Sequence, residues 1–340
     1  MTSRTLVHRD PGGQSALYET DLRYTGLLEG RHGERFREYR RLWRERSEGG
    51  DPGDFPLSLD LATSSGCQLS CVMCPLPRRP GGRRRRLMDI ALFRSLMDEA
   101  RERLLPAVTF GLGSEPLLDR RIPALVAAAA AAGVMDIRLG TNGQALTPEI
   151  SLALADAGLT RLEVSLDAAG PEGYAAARPG GDWGLLARNV EGFLAVRAKK
   201  GLVTPLLRLS FLRLPANAGE LPAFLSTWAP RADMISIQSP VWFPESLLPA
   251  PPPAPPGPVA CRQPWQRLGV LEDGTLWPCC SWHGEGLLGG PDALGGAAAA
   301  WASPAMTGLR RALASDAPPA RCSLCASAGK AAEALPEGGL

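Results

Sequence analysis

The placement of its cysteines constrains this chain more than any other feature. Eight cysteines in 340 residues fall into two groups: Cys67, Cys71 and Cys74, and then, after a long cysteine-free stretch, Cys261, Cys279, Cys280, Cys322 and Cys325. The first group lies in Gly66-Cys67-Gln68-Leu69-Ser70-Cys71-Val72-Met73-Cys74, directly after the apolar run Leu57–Ala62. A C-x3-C-x2-C loop offers three thiolates from one short segment, which suits three corners of a cubane iron–sulfur cluster and leaves the fourth iron open. The alternative is a zinc site, but zinc usually takes paired CxxC elements and four protein ligands. In a reducing compartment such a set reads as metal ligands or reactive thiols rather than disulfides.

Other classes are disfavoured by composition. The N-terminus, Met1 to Ser15, is polar and has no apolar h-region, so no signal peptide and a cytoplasmic location are expected. The longest apolar stretch, Ala124 to Val134, is an alanine run too short to span a bilayer. A net charge of +2 gives no reason to expect a nucleic-acid or membrane-surface partner.

From Leu57 onward short apolar runs alternate with helical segments. Strands are expected at Leu57–Ala62, Ala107–Gly111, Asp136–Gly140, Arg161–Leu166, Leu206–Leu212 and Met234–Gln238. Helices are expected at Asp89–Leu104, Arg121–Ala132, Thr147–Ala157, Gly184–Lys199 and Gly219–Trp228, with Thr147-Pro148 a favourable start. This α/β alternation predicts a parallel sheet, with sites built from loops at the C-terminal strand ends. Residues 1–55 read as a helical extension, with Phe36, Tyr39, Leu42 and Trp43 on one helix face. The run Arg83–Arg86 reads as a solvated loop. The main domain is placed at 56–243, a proline-rich connector at 244–260, a small cysteine-bearing domain at 261–326 and a disordered tail at 327–340. Glu272-Asp273-Gly274, between Leu268–Leu271 and Thr275–Trp277, is a hairpin-turn signal.

The three-cysteine loop after a first strand resembles that of the radical S-adenosylmethionine (SAM) superfamily. This resemblance implies a partial (β/α)6 TIM-like barrel and a [4Fe–4S] cluster held by Cys67, Cys71 and Cys74, with SAM chelating the open iron. It also implies cleavage of SAM to a 5′-deoxyadenosyl radical, fed by a reducing partner such as flavodoxin or ferredoxin. Further segments are similar to family elements. Gly111-Leu112-Gly113-Ser114-Glu115-Pro116 resembles the GGEP strip that binds the methionine amino group, although a serine interrupts the pattern. Thr141-Asn142-Gly143 resembles the third-strand turn, and Ser165-Leu166-Asp167 the fourth-strand element facing SAM. Arg178 stands where many relatives carry an arginine. The cofactor-binding residues implied are thus Gly111, Gly113, Ser114, Glu115, Asn142, Ser165, Asp167 and Arg178.

In the second group, Cys261 and Cys279 bracket the expected hairpin, and Cys322-Ser323-Leu324-Cys325 closes a four-thiolate cage. By spacing alone an iron–sulfur cluster and a four-cysteine zinc ribbon are equally well served. The arrangement resembles the twitch form of the SPASM domain, and is especially similar to that of aminocyclitol radical SAM dehydrogenases. That resemblance implies a second [4Fe–4S] cluster on Cys261, Cys279, Cys322 and Cys325. One cysteine is left over, and the Gly-x4-Cys pattern leaves Cys280 as the spare. It is either a small buried residue or a hydrogen-atom donor, as in radical epimerases. His283 is a candidate base for a hydroxyl proton, or else a structural histidine.

The expected reaction is therefore removal of a hydrogen atom from a carbinol carbon of a sugar, aminocyclitol or aminoglycoside, giving a ketone, with the second cluster accepting the electron. Epimerisation with Cys280 returning hydrogen is the alternative. Ribosomal-peptide maturation is a further one, and a non-catalytic module with two zinc sites belongs to a different class.

Overall fold

The computed structural model describes residues 5–9, 15–19, 23–78, 85–250, 261–282, 288–289, 295–315 and 317–325. Ten strands form one sheet: β1 (Thr5–Arg9), β2 (Ser15–Glu19), β3 (Ser58–Leu61), β4 (Ala107–Phe110), β5 (Asp136–Thr141), β6 (Arg161–Ser165), β7 (Leu206–Leu212), β8 (Met234–Gln238), β9 (Arg267–Val270) and β10 (Leu276–Trp277). Their spatial order is β1-β2-β8-β7-β6-β5-β4-β3-β9-β10. Strands β3 to β8 are parallel, and β9 joins them in parallel beside β3. The sheet ends at β1 and β10, so the barrel is partial. Helices connect the parallel strands: α3 (Ile90–Glu102), α4 (Ile122–Ala131), α5 (Pro148–Asp156), α6 (Pro171–Ala177) with α7 (Trp183–Lys199), and α8 (Leu221–Trp228), after α1 (Arg23–His32) and α2 (Glu34–Ser47). Side chains of Asp89, Thr147 and Asp182 cap α3, α5 and α7 by accepting from backbone N–H groups of the first turn.

Alternation within the strands separates two environments. Leu59, Leu61, Val108, Phe110, Leu162 and Leu209 face the helices and join the main apolar core. Intervening positions are polar yet mostly buried, among them Ser58, Asp60, Glu163, Arg208, Ser210 and Ser236. Parallel strands covered on both faces ordinarily read as near-continuous apolar runs. Polar residues at every second position therefore mark a polar lumen inside this curved sheet.

The N-terminal segment differs from the helical extension expected of it. It contributes the hairpin β1–β2, which pairs antiparallel with β8, as well as α1 and α2. Two five-residue strands leave little periodicity to detect, and their pairing is completed by β8, more than 200 residues away in sequence. Phe36 and Tyr39 of α2 are buried, with Leu42 and Trp43 packed beside them, against Leu57, Ala107, Met135 and Met234 near the strand starts. They plug the lower end of the lumen.

The C-terminal cysteine segment is also more integrated than the separate domain expected, because β9 extends the barrel sheet. The expected hairpin forms: β9 and β10 pair antiparallel, and Gly274 takes a positive φ in the turn. Beyond it lie helices Ala297–Trp301 and Pro304–Leu313. Most of the proline-rich connector, the tail 327–340 and His283 lie outside the described residues. Among the described residues no helix is long and apolar enough to cross a membrane.

Candidate active site

The Cys67–Cys74 loop leaves the C-terminal end of β3 and is tied down along its length by backbone bonds. Met88 N donates to Thr63 O, Ser65 N to Arg86 O, Glu115 N to Gly66 O, Ser70 N to Pro179 O and Val72 N to Ala177 O, all within 3.1 Å. Leu69 is buried and anchors the middle of the loop. The sulfurs meet donors. Cys67 Sγ accepts from Leu69 N at 3.4 Å and from Asn142 Nδ2 at 3.6 Å, and Cys71 Sγ accepts from Arg178 Nη1 at 3.6 Å. Hydrogen bonds to sulfur stabilise negative charge on it and are one means by which a protein tunes a cluster. Burial pushes the Cys67 thiol up to about 12 and raises that of Cys71, the latter opposed by the Arg178 guanidinium. Thiols so placed favour the thiolate once a metal binds them. The buried hydroxyls of Thr63 and Ser114, in the loops flanking the first cysteine, have no hydrogen-bond partner among the described residues. Three soft donors on one braced loop, with unsatisfied polar groups beside them, fit a cluster with one open iron and a polar co-ligand.

The strips after β4, β5 and β6 close around this loop. Gly111 adopts φ +118°, and a Cβ there would lie 2.5 Å from Gly140 O, so the close approach of β4 to β5 requires glycine. Gly113 also has a positive φ. Glu115 is buried. Its Oε1 accepts from Thr141 Oγ1 at 2.7 Å and Leu117 N at 3.0 Å, and its Oε2 from Asn142 N at 2.7 Å. Burial raises the Glu115 carboxyl, and these three donors oppose the rise. Glu115 thus braces the β5 turn, which holds Asn142 against Cys67. Asn142 Oδ1 in turn accepts from Gln68 Nε2 at 3.2 Å.

Ser165 ends β6, paired in register with Ser210 of β7. Asp167 has φ +57°, a left-handed conformation that aspartate tolerates better than most residues. It is held there by its fully buried carboxylate, which accepts from Leu212 N at 2.8 Å and from Arg178 Nε at 2.8 Å. Arg178 Nη2 also pairs with Asp167, while Nη1 points to Cys71. The buried Asp167–Arg178 pair therefore links the β6 exit to the cysteine loop.

Cys261, Cys279, Cys280, Cys322 and Cys325 line one cavity of about 310 Å3. Burial raises the Cys279 thiol strongly, and nearby Cys280, Cys261 and Cys325 raise it further. Cys322 is pushed up to about 12 by burial, with Cys261 adding to it. Cys261 and Cys322 pack by Trp265, Leu309 and Leu313. Cys280 packs elsewhere, against Ala62, Leu112 and Trp277, where β3 and β4 end. Among the described residues no three His, Cys, Asp or Glu side chains converge as one metal ion requires. A cubane instead takes each thiolate on a different iron, so its donors stay apart.

The rest of the cavity is the polar lumen. Arg267 pairs with Asp60 at 3.1 Å, Arg161 with Asp136 at 2.6 Å, and Arg138 and Arg208 both with Glu163. Gln238 Nε2 donates to Glu163 Oε1 at 3.3 Å. Sequence reasoning missed these charged residues, together with Thr141 and Gln68. The signal was present in the strands: Asp136-x-Arg138, Arg161-x-Glu163-x-Ser165 and Arg208-x-Ser210 alternate with apolar residues.

Residues 61–205 match the Radical SAM superfamily. A probable GTP 3′,8-cyclase of Methanococcus maripaludis (strain C5) is 30% identical over 174 residues, 49% of this chain and 53% of that one. The PqqA peptide cyclase of Xanthomonas axonopodis pv. citri is 35% identical over 144 residues, covering 42% and 37%. The chain thus spans about half the length of the first of these relatives. Among solved structures, Streptococcus suis SuiB bound to the precursor peptide SuiA covers 84% of this chain and 72% of its own, with a TM-score of 0.56 and 15% identity. That likeness is one of fold.

Proposed function

We propose that this chain is a radical SAM oxidoreductase that removes a hydrogen atom from a carbinol carbon of a sugar-like or aminocyclitol-like substrate and leaves a ketone. One observation carries the reading: the polar lumen has the second cysteine group in its wall and the Cys67–Cys74 loop at the C-terminal ends of its strands. A cavity of about 310 Å3 suits a small hydroxylated molecule. When bound, SAM and two [4Fe–4S] clusters would supply the 5′-deoxyadenosyl radical and an acceptor for the second electron.

The chain's own residues hold and orient. Cys67, Cys71 and Cys74 hold one cluster, and Cys261, Cys279, Cys322 and Cys325 the other. Asn142 and Arg178 donate to the first loop's sulfurs, and Glu115 and Asp167 fix those two donors in place. Ser114 and Ser165 offer hydroxyls at the strand ends for SAM. Gln238, Ser239 and Thr109 in the lumen wall offer partners to substrate hydroxyls. His283 is the candidate base for the hydroxyl proton. A flavodoxin- or ferredoxin-like protein supplies electrons.

A second reading is favoured by the position of Cys280, which lines the cavity and packs against Ala62, Leu112 and Trp277 rather than with Cys261 and Cys322. There it can return a hydrogen atom to the substrate carbon, making the outcome epimerisation. Anaerobic assays of reconstituted protein with hydroxylated substrates separate the two readings. Deoxyadenosine with a carbonyl product supports oxidation, and solvent deuterium in an isomerised product supports epimerisation. Deoxyadenosine with neither sinks both.

A further inference from the structure

The lumen carries more positive charge than a neutral or amino sugar requires. Among its described lining residues are six arginines, Arg40, Arg138, Arg161, Arg208, Arg267 and Arg321, against one carboxylate, that of Asp136. Asp60 and Glu163 contact this wall without lining it, and the matching is uneven at Glu163. Arg138 Nη1 and Arg208 Nη1 approach the same atom, Glu163 Oε2, at 3.2 and 3.6 Å. Among the described residues that oxygen takes part in no hydrogen bond, so the contacts are ion pairs without the locked two-pronged geometry of an arginine–carboxylate fork. Arg138 Nε is buried and has no hydrogen-bond partner among the described residues. Inside a low-dielectric lumen an incompletely paired guanidinium is costly, and a bound oxyanion relieves that cost. The planar fork of arginine suits carboxylate and phosphate oxygens.

We propose that Arg138, with Arg208 beside it, clamps an anionic oxygen group of the substrate, a carboxylate or a phosphate. The substrate is then an acidic polyol rather than a cationic aminocyclitol. Its use as a substrate clamp rests on the reading of the lumen as the substrate site, whereas oxyanion binding is measurable without it. Glu163 holds both guanidinium groups at the wall, and Gln238 steadies Glu163 from the other oxygen. Thr109, Gln238 and Ser239 line the same cavity and suit the hydroxyls of such a ligand. A cationic ligand would meet the arginines at close range and be repelled.

The test uses the anaerobically reconstituted protein and inorganic phosphate as the probe. Melting temperature is followed against phosphate concentration, with sodium chloride at matched ionic strength as the control. Phosphate is expected to raise the melting temperature of the parent and chloride not to. In Arg138→Gln the phosphate needed for half the effect should rise at least about tenfold, with iron content equal to that of the parent. Arg208→Lys, which keeps the charge but loses the fork, should weaken the phosphate effect by a smaller factor. Equal stabilisation by chloride, or a parent-like response in Arg138→Gln, overturns the proposal. So does loss of about four irons in that variant, because the arginine then serves the second cluster. Deoxyadenosine formation is assayed on the same parent sample. A phosphate effect without deoxyadenosine keeps the oxyanion site and sinks the proposed chemistry, and deoxyadenosine without a phosphate effect keeps the radical step and sinks the oxyanion site.

Discussion

The two cysteine groups are brought together by different means. In the first, three thiols lie within eight residues, and backbone bonds from four neighbouring segments fix the loop that carries them. In the second, the cysteines come from three separate stretches, brought to one cavity by the β9–β10 hairpin and the packing of Pro304–Leu313 on Trp265. The first site is a property of a local segment that the fold only braces. The second exists only once distant parts of the chain have packed. It should therefore depend more on the whole structure.

The largest effects should come from the thiols themselves. Cys67/Cys71/Cys74→Ala should lower iron from about eight to about four per chain and abolish deoxyadenosine formation. Cys279→Ala should lose a similar amount of iron yet keep deoxyadenosine formation while losing the ketone. If the parent instead holds about four irons and one zinc, the second site is a zinc ribbon and the redox-neutral outcome moves ahead.

Next come the braces. Asp167→Ala leaves Arg178 buried beside Cys71 without its carboxylate, a loss of roughly 3–5 kcal/mol by denaturant unfolding. The first cluster should become labile before the second. Gly111→Ala forces a Cβ against Gly140 O at positive φ and should cost about 1–3 kcal/mol. Gly269→Ala, in β9 near the second group, meets the Leu112 side chain at 2.9 Å, which can shift, and should cost less. A larger loss at Gly269 than at Gly111 would reverse the view that the first loop is the more tightly braced.

The smallest effect on stability is expected for Cys280→Ala, within about 1 kcal/mol and with iron unchanged. Its readout is isotopic. If the chain epimerises, the variant no longer incorporates solvent deuterium; if it oxidises, ketone formation continues.

Much of the first region was readable in advance because its signals are local. An apolar strand, a cysteine loop, a capped helix and the next strand each declare themselves within a few residues, as Thr147-Pro148 does for α5. The β1–β2 hairpin was not readable, because two short strands acquire their meaning only from pairing with β8. The lumen lay between these cases. Its alternating polar residues are written in the strands, but that Arg138 and Arg208 face the same oxygen of Glu163 depends on strand order and register.

By itself the sequence determined the succession of strands and helices, the three-thiol loop and the separation of eight cysteines into two groups. These follow from spacing and periodicity along one stretch of chain. Only the tertiary structure decided that the second group shares a cavity with the lumen, that Cys280 packs against Ala62 and Leu112, and that Glu115 and Asp167 brace the first loop. They rest on contacts between distant segments, such as Asn142 with Glu115 and Arg178 with Cys71, and such contacts are set by sheet register and core packing, which no local pattern encodes.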